Sequence, residues 1–323
     1  MGDLSALIAG LPGAVAQGLI WGIMAIGVYI TFKILDVADL TVDGSICTGG
    51  AVCVMMIVSG HSVAFSMLAA LIAGLLAGLV TGLIHTLMGI PAILAGILTQ
   101  LALYSVNLKI MGKANQPVNA NKFDLLVSLR NVRGVALSEN TIFITFVITV
   151  ILIVIMYLFF GTELGCSLRA SGANEAMCRA QGINVAFNKV LGIALSNGIV
   201  AFAGALLAQY QGFADVQMGR GAIVIGLAAV VIGEAVFGKI FHNFALCLVS
   251  VSLGSIIYYM VLQVVIWCGL DPQLLKLLSA AIVAVFLAVP YWQRRYFRSV
   301  KVPAEKKNAG KGNENAEEDR ENA

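Results

Sequence analysis

The chain has 323 residues, of which 59% are hydrophobic and 11% charged, with a formal net charge of +3. A soluble domain carries roughly 25% charged residues, so this composition excludes a soluble protein and requires a lipid bilayer as outer solvent. No basic face is interleaved with aromatic residues, which argues against a nucleic-acid partner. The apolar runs do not alternate, and this predicts membrane-spanning helices instead of a barrel.

Nine apolar segments follow one another along the chain and predict an all-α transmembrane bundle of about eight to ten spans. They cover about residues 12–32, 45–59, 63–87, 90–111, 141–160, 188–209, 222–238, 243–267 and 274–290. Segment 45–59 is shorter than the roughly 20 residues that cross a bilayer, so we expect it to be broken or tilted. We assign residues 1–300 to the transmembrane domain and expect the polar segment 301–323 to be a disordered tail.

Basic residues suggest the orientation of the bundle in the membrane. They concentrate after the last apolar segment, which predicts a cytoplasmic C-terminus. Counting spans backwards places loop 161–187 in the cytoplasm and loop 210–221 outside. Loop 112–140 would also lie outside although it is basic, so the orientation of the N-terminal half stays open.

Glycines spaced four residues apart mark two of the predicted helices. Gly74, Gly78 and Gly82 form one stripe, and Gly18 and Gly22 form a second. Small residues let helix backbones approach closely in lipid. We interpret the stripes as packing surfaces within one subunit, with a dimerisation face as the alternative.

Three aspartates between the first two segments are the strongest enzyme-like signal. The spacing of Asp36, Asp39 and Asp43 resembles the first aspartate motif of membrane prenyltransferases, which hold magnesium. Leu35 stands where that family has asparagine, however, and no second aspartate cluster follows. We favour a polar turn in which Asp43, Gly44 and Ser45 cap the next helix. No metal site, cofactor or catalytic residue is therefore predicted.

Residues 233–239, GEAVFGK, imitate a phosphate-binding loop. A true loop of this kind has Ser or Thr after the lysine, whereas Ile240 follows here, and it joins a strand to a helix. The chain is therefore not expected to hydrolyse nucleotide by itself.

Loop 161–187 is the most informative of the polar connections. Residues 173–181 predict a helix of about two turns that Gly182 ends, with Glu175 and Arg179 one turn apart. A short helix between spans can enter a groove of another protein. A solvated connector explains the composition equally well.

Polar residues inside the apolar segments are candidates for a translocation path, because burying them in lipid is costly. Interhelical hydrogen bonding is the alternative for each of them. The candidates are Thr99, Gln100, Tyr104 and Asn107 in the fourth segment, Asn197 in the sixth and Glu234 in the seventh.

Several motifs together resemble one family, the permeases of branched-chain amino acid and ribose ABC importers. Residues 168–184 read LRASGANEAMCRAQGIN and precede Lys189 and a helix rich in small residues. Residues 218–234, MGRGAIVIGLAAVVIGE, match the family's glycine-rich helix, although Glu234 replaces the second glycine of its final pair. DLTVDGS at 39–45, GIPAILAGILT at 89–99 and AQYQGFAD at 208–215 are similar to the subgroup paired with tryptophan/tyrosine-type binding lipoproteins.

The resemblance implies a type II-like ABC importer permease, not an enzyme, in the plasma membrane of a prokaryote. It implies a dimer of two permease copies, a separate pair of ATPase subunits and an extracytoplasmic solute-binding lipoprotein. The solute would be an amino acid or a related compound. In this family the loop at 161–187 is the coupling helix, which makes its candidate residues Arg169, Gly172, Asn174, Glu175, Met177, Arg179 and Gly182.

Two rival functions stay open on the sequence. A secondary transporter is also polytopic without nucleotide motifs, but it normally carries a buried coupling carboxylate, for which only Glu234 qualifies. A magnesium-dependent membrane prenyltransferase rests on the three aspartates alone.

Overall fold

The computed structural model describes residues 4–119, 123, 125–132, 139–238, 240–241, 243–268 and separate positions between 277 and 288. The chain divides into one unit of residues 1–287 and a second of residues 288–323. The predicted tail 301–323 and most of segment 274–290 lie outside the described residues. The elements named below belong to the first unit.

The described residues form ten α-helices and one two-stranded sheet. The helices are α1 (Leu4–Tyr29), α2 (Val42–Val58), α3 (Val63–Leu87), α4 (Ala92–Met111), α5 (Thr141–Gly161), α6 (Glu163–Ala173), α7 (Glu175–Ala180), α8 (Val185–Gln211), α9 (Ala222–Phe237) and α10 (Phe244–Trp267). A π-helical segment, Ile30–Ile34, extends α1, and a 3₁₀ turn covers Leu129–Val132. The strands are β1 (Asn115–Pro117) and β2 (Phe213–Asp215).

Six of these helices are long and apolar enough to cross a membrane, and α2 and α9 are shorter apolar helices of 17 and 16 residues. The predicted polytopic bundle is thus confirmed. Helix α2 is unbroken, contrary to one of the two expectations for segment 45–59. It is short because it begins inside the bundle, where Thr41 and Val42 are fully buried.

The first helix begins earlier than the apolar segment 12–32 predicts. Helix α1 begins at Leu4 and continues through Pro12. With its π extension it reaches Ile34, and Asp36 then takes a left-handed conformation with φ of 54° that turns the chain.

Helix α8 lies at the centre of the bundle and packs against α1, α2 and α3. A Cβ atom added to Gly78 would lie 2.5 Å from the carbonyl oxygen of Ile193, and one added to Gly82 would lie 2.8 Å from the Cα of Val190. The α3 stripe is therefore a packing surface within the subunit, as predicted. Gly18 and Gly22 face α10 in the same way.

Apolar side chains cover the outer faces of α3, α4 and α5. Only 33%, 22% and 17% of their spanning windows are buried inside the chain. These faces suit contact with lipid or with a second membrane subunit.

The small sheet fixes which loops share one end of the bundle. Strands β1 and β2 pair in antiparallel fashion, with Asn115 opposite Asp215. Loops 112–140 and 210–221 therefore lie on the same side, in agreement with their predicted placement.

Candidate translocation cavity and coupling loop

The short helices α2 and α9 meet inside the bundle at Asp43. Its Oδ2 accepts a hydrogen bond from the N–H of Gly221, and its Oδ1 accepts one from the N–H of Ile223, both at 3.0 Å. The positive end of a helix dipole stabilises a carboxylate in this position. The prediction that Asp43 caps its own helix is wrong, because α2 already begins at Val42 and Asp43 caps α9.

A buried hydrogen-bond network joins the start of α2 to the middle of α8. Asn197 donates to Oδ2 of Asp39 at 2.6 Å and to the carbonyl of Ile193 at 2.9 Å, and it accepts from the hydroxyl of Ser45 at 2.6 Å. The N–H of Thr41 donates to the other oxygen of Asp39 at 2.9 Å. This geometry matches the interhelical alternative for Asn197.

A cavity of about 250 Å³ lies beside Asp43, between α2, α4 and the segment that leads into α9. Its polar lining includes three of the predicted path residues, namely Gln100, Tyr104 and Asn107. Thr99 is not among its lining residues, and its hydroxyl donates to the carbonyl of Ala95 one turn earlier. The remaining polar lining residues are Asp43, Cys47 and Arg220.

Two side chains of this cavity lack partners within the described part of the chain. Asn107 is only 1% exposed, yet neither its amide nitrogen nor its amide oxygen has a hydrogen-bond partner there. Arg220 is exposed and makes no ion pair with any described residue. Sequence reasoning missed Arg220, although a lone cation in a glycine-rich stretch between apolar helices was an available signal.

Glu234 lies away from this cavity, near the C-terminal end of α9. Its carboxylate pairs with Nζ of Lys33 in the π segment, at 2.9 Å to Oε1 and 3.0 Å to Oε2. Both side chains are nearly half exposed, which limits the energy of the pair. The sequence did not indicate Lys33 as its partner, because 201 positions separate the two residues.

The predicted coupling helix is shorter than expected and follows another helix. Helix α7 begins at Glu175, because Asn174 is its N-cap and accepts from the N–H of Met177 at 3.0 Å. Ala173 belongs to α6, which the sequence reading missed. Gly182 has a φ of 79° and follows the end of α7, as predicted.

Contacts with three neighbouring helices fix this loop to the bundle. The amide of Asn188 in α8 donates to the hydroxyls of Ser167 and Ser171 in α6, at 2.8 and 2.7 Å. Gly172 packs against the backbone of Ile34, where no side chain would fit. The guanidinium of Arg169 lies 5.4 Å from the ring centre of Phe244 in α10.

Glu175 of α7 forms two ion pairs. It pairs with Arg179 at 3.2 Å, as the spacing predicted, and also with Lys189 of α8 at 2.5 Å. The side chain of Lys189 is only 16% exposed, so this second pair is the better shielded of the two. Met177 is 49% exposed and Arg179 69%, which leaves both available to a partner.

The three aspartates of the enzyme-like motif do not come together as a metal site. Asp39 and Asp43 serve the hydrogen bonds above, and Asp36 is exposed at the turn. No group of three His, Cys, Asp or Glu side chains that could hold a metal ion occurs among the described residues. Asp36 and Asp39 lie in the turn that precedes α2, as the polar-turn interpretation expects, whereas Asp43, Gly44 and Ser45 already belong to α2.

The bundle, its interior helix ends and the polar cavity define a polytopic transport protein of the membrane. The chain belongs to the branched-chain amino acid transport system / permease component family, whose model matches residues 10–288. It is therefore an ABC-type permease and not an enzyme, and the two rival functions are set aside.

Two relatives and one solved structure are similar to the chain. The tyrosine transport system permease protein of Clostridioides difficile (strain R20291) is 37% identical over 281 residues, 87% of this chain and 91% of the relative. An uncharacterised protein of Rickettsia prowazekii (strain Madrid E) is 32% identical over 279 residues, 85% and 95% of the two chains. PsaBC from Streptococcus pneumoniae, solved with a Fab, covers 80% of this chain and 95% of its own at 18% identity and a TM-score of 0.42, too distant to bear on function.

Proposed function

We propose that the chain forms the translocation path of an importer for an amino acid, with tyrosine as the first solute to test. The C. difficile relative, 37% identical over 91% of its length, carries that name. Two copies of the chain would form the path, an extracytoplasmic lipoprotein would deliver the solute, and a separate ATPase pair would drive transport. The protein would reside in the plasma membrane with loop 161–187 and the C-terminus in the cytoplasm.

The observation that carries this proposal is the attachment of α6 and α7 to the bundle. Helix α7 exposes Ala176, Met177 and Ala180 to a partner, while Asn188 and Lys189 hold the loop to α8. An ATPase bound to this apolar face would move the loop and the inner end of α8 together. No covalent chemistry takes place in this chain.

A continuous set of contacts leads from the loop to the cavity. Glu175 pairs with Lys189 at the inner end of α8, and Asn197 in the middle of α8 binds Ser45 of α2. Asp43, two residues before Ser45, caps α9 beside the cavity. Displacement of α8 would therefore shift the two helix ends that border the cavity.

The partner assignment is tested by co-purification. The tagged chain is co-expressed with the ATPase and the binding lipoprotein of its transport system and isolated in detergent. Recovery of the ATPase with a dimeric permease supports the importer, and a chain that never retains it contradicts the assignment.

Charge reversal in α7 tests the coupling role. Glu175→Lys removes both ion pairs of this residue, and Arg179→Glu removes one. Each is expected to lower ATPase activity stimulated by the binding protein. Glu163→Lys is the matched control, because Glu163 is exposed on the adjacent helix and makes no ion pair with a described residue. Normal stimulation in both α7 variants contradicts the coupling role.

A further inference from the structure

The cavity beside Asp43 carries the polar groups that a free amino acid requires. We propose that it binds a zwitterionic α-amino acid during transport, with the carboxylate at Arg220 and the amide of Asn107, and the ammonium at Asp43. This inference rests on the proposed function and deepens it, because it assigns recognition of the amino-acid backbone to named residues of the permease.

Asn107 points to a ligand independently of the charges. Asn107 is only 1% exposed and lines the cavity. Its amide has neither a donor nor an acceptor partner among the described residues. Buried polar groups are normally hydrogen-bonded, so an amide left without partners requires an explanation. Gln100 and Tyr104 lie seven and three positions earlier on the same face of α4 and also line the cavity. Asn107 therefore lies on the side of α4 that borders the cavity.

The N-terminus of α9 is not a free anion site, because Asp43 already occupies it. Each oxygen of Asp43 accepts one backbone N–H, whereas a carboxylate has about four acceptor positions in total. Asp43 therefore retains acceptor capacity for an ammonium group.

Arg220 supplies the complementary charge at the same place. It directly precedes Gly221, whose N–H binds Asp43, and no described acidic side chain pairs with its guanidinium. A guanidinium matches a carboxylate through two parallel hydrogen bonds. One cation and one anion on the same cavity suit a zwitterion, whereas a purely anionic or cationic solute leaves one of them unpaired.

The size of the cavity agrees with a solute of this class. Its volume of about 250 Å³ lies just below the roughly 300–1,000 Å³ of pockets for drug-sized ligands. Leu101, Val216 and the ring of Tyr104 provide apolar wall for a side chain.

Uptake of labelled L-tyrosine into proteoliposomes that contain the complete complex tests the site. Asn107→Leu and Arg220→Gln are each expected to lower uptake at subsaturating L-tyrosine by about ten-fold or more, since each removes a hydrogen bond to a charged group. ATPase activity stimulated by the binding protein should remain within about twofold of wild type. Lys109→Gln removes an exposed cation from α4 outside the cavity and should leave uptake unchanged.

Asn107→Leu also separates recognition from folding. It replaces an unpaired buried amide by an apolar group of similar size, so thermal stability should be equal or higher. Lower uptake together with a lower melting temperature in this variant would contradict the proposal, because it would show that Asn107 serves the fold.

Binding to the permease and ATPase complex in nanodiscs, without the binding protein, isolates the permease site. Saturation-transfer NMR should detect L-tyrosine, which tyramine and 3-(4-hydroxyphenyl)propionate displace poorly because each lacks one charge. Equal displacement by either analogue, or wild-type uptake in both cavity variants, overturns the zwitterion site. If the binding protein stimulates the ATPase but tyrosine is neither bound nor taken up, the zwitterion site is refuted while the importer assignment is retained. If the ATPase never binds the chain, the proposed function itself is refuted.

Discussion

Substitution of Asn197 by leucine should destabilise the bundle more than a neighbouring substitution that removes a single hydrogen bond. Leucine fills a comparable volume but leaves one oxygen of Asp39 and the hydroxyl of Ser45 without the amide partner that each has now. Asp39 is 2% exposed and Ser45 fully buried, so water cannot replace the amide. An unsatisfied buried group costs roughly 1–3 kcal/mol, and two of them give a loss of about 2–6 kcal/mol in the free energy of unfolding.

The measurement is reversible unfolding of the purified chain in mixed micelles, followed by tryptophan fluorescence. Ser196→Ala is the matched control, since Ser196 is the adjacent residue, is fully buried and donates one hydrogen bond to the carbonyl of Gly27 at 2.7 Å. That loss should amount to about 0.5–1.5 kcal/mol. If Asn197→Leu is no more destabilising than the control, the network does not hold α2 to α8 and the reasoning fails.

Four further substitutions have expected results of different size. Gly82→Ala places a methyl group 2.8 Å from the Cα of Val190 and should cost about 1–3 kcal/mol in the same unfolding assay, whereas Gly161→Ala, with open space around it, should be neutral or mildly stabilising. Asn174→Ala removes the N-cap of α7, worth about 1 kcal/mol, and should speed amide hydrogen exchange in that helix about five-fold; unchanged exchange would show that the cap is not needed. Glu234→Gln should change stability by less than about 1 kcal/mol, because its ion pair with Lys33 is nearly half exposed; a larger loss in the unfolding assay would show that the pair is shielded.

The two proposals concern opposite parts of the same molecule and can fail separately. The proposed coupling would depend on α6, α7 and the start of α8, whereas the proposed recognition would depend on the cavity at the start of α9. A Glu175→Lys complex that loses stimulated ATPase but still binds L-tyrosine would show that the two functions are independent.

The sequence by itself determined the helices and several of their ends. Uninterrupted apolar runs need lipid or a protein core around them. The length and position of these runs closely predicted the bounds of α3, α4, α5, α8, α9 and α10. Glycines at four-residue spacing predicted the packing surface of α3, since the spacing alone places them on one side of a helix. The pair of Glu175 and Arg179 was also predictable, because the two residues are one turn apart.

Only the tertiary structure decided which distant groups meet. The sequence predicted that Asp43 caps its own helix. Asp43 instead caps α9, about 180 positions later, because both short helices begin inside the bundle. No local sequence pattern links Lys33 to Glu234, or links Arg220 to Asn107, which line the same cavity. Hydrophobicity and helical periodicity act over a few turns of chain, whereas these pairings depend on how whole helices pack, and the cavity exists only as a consequence of that packing.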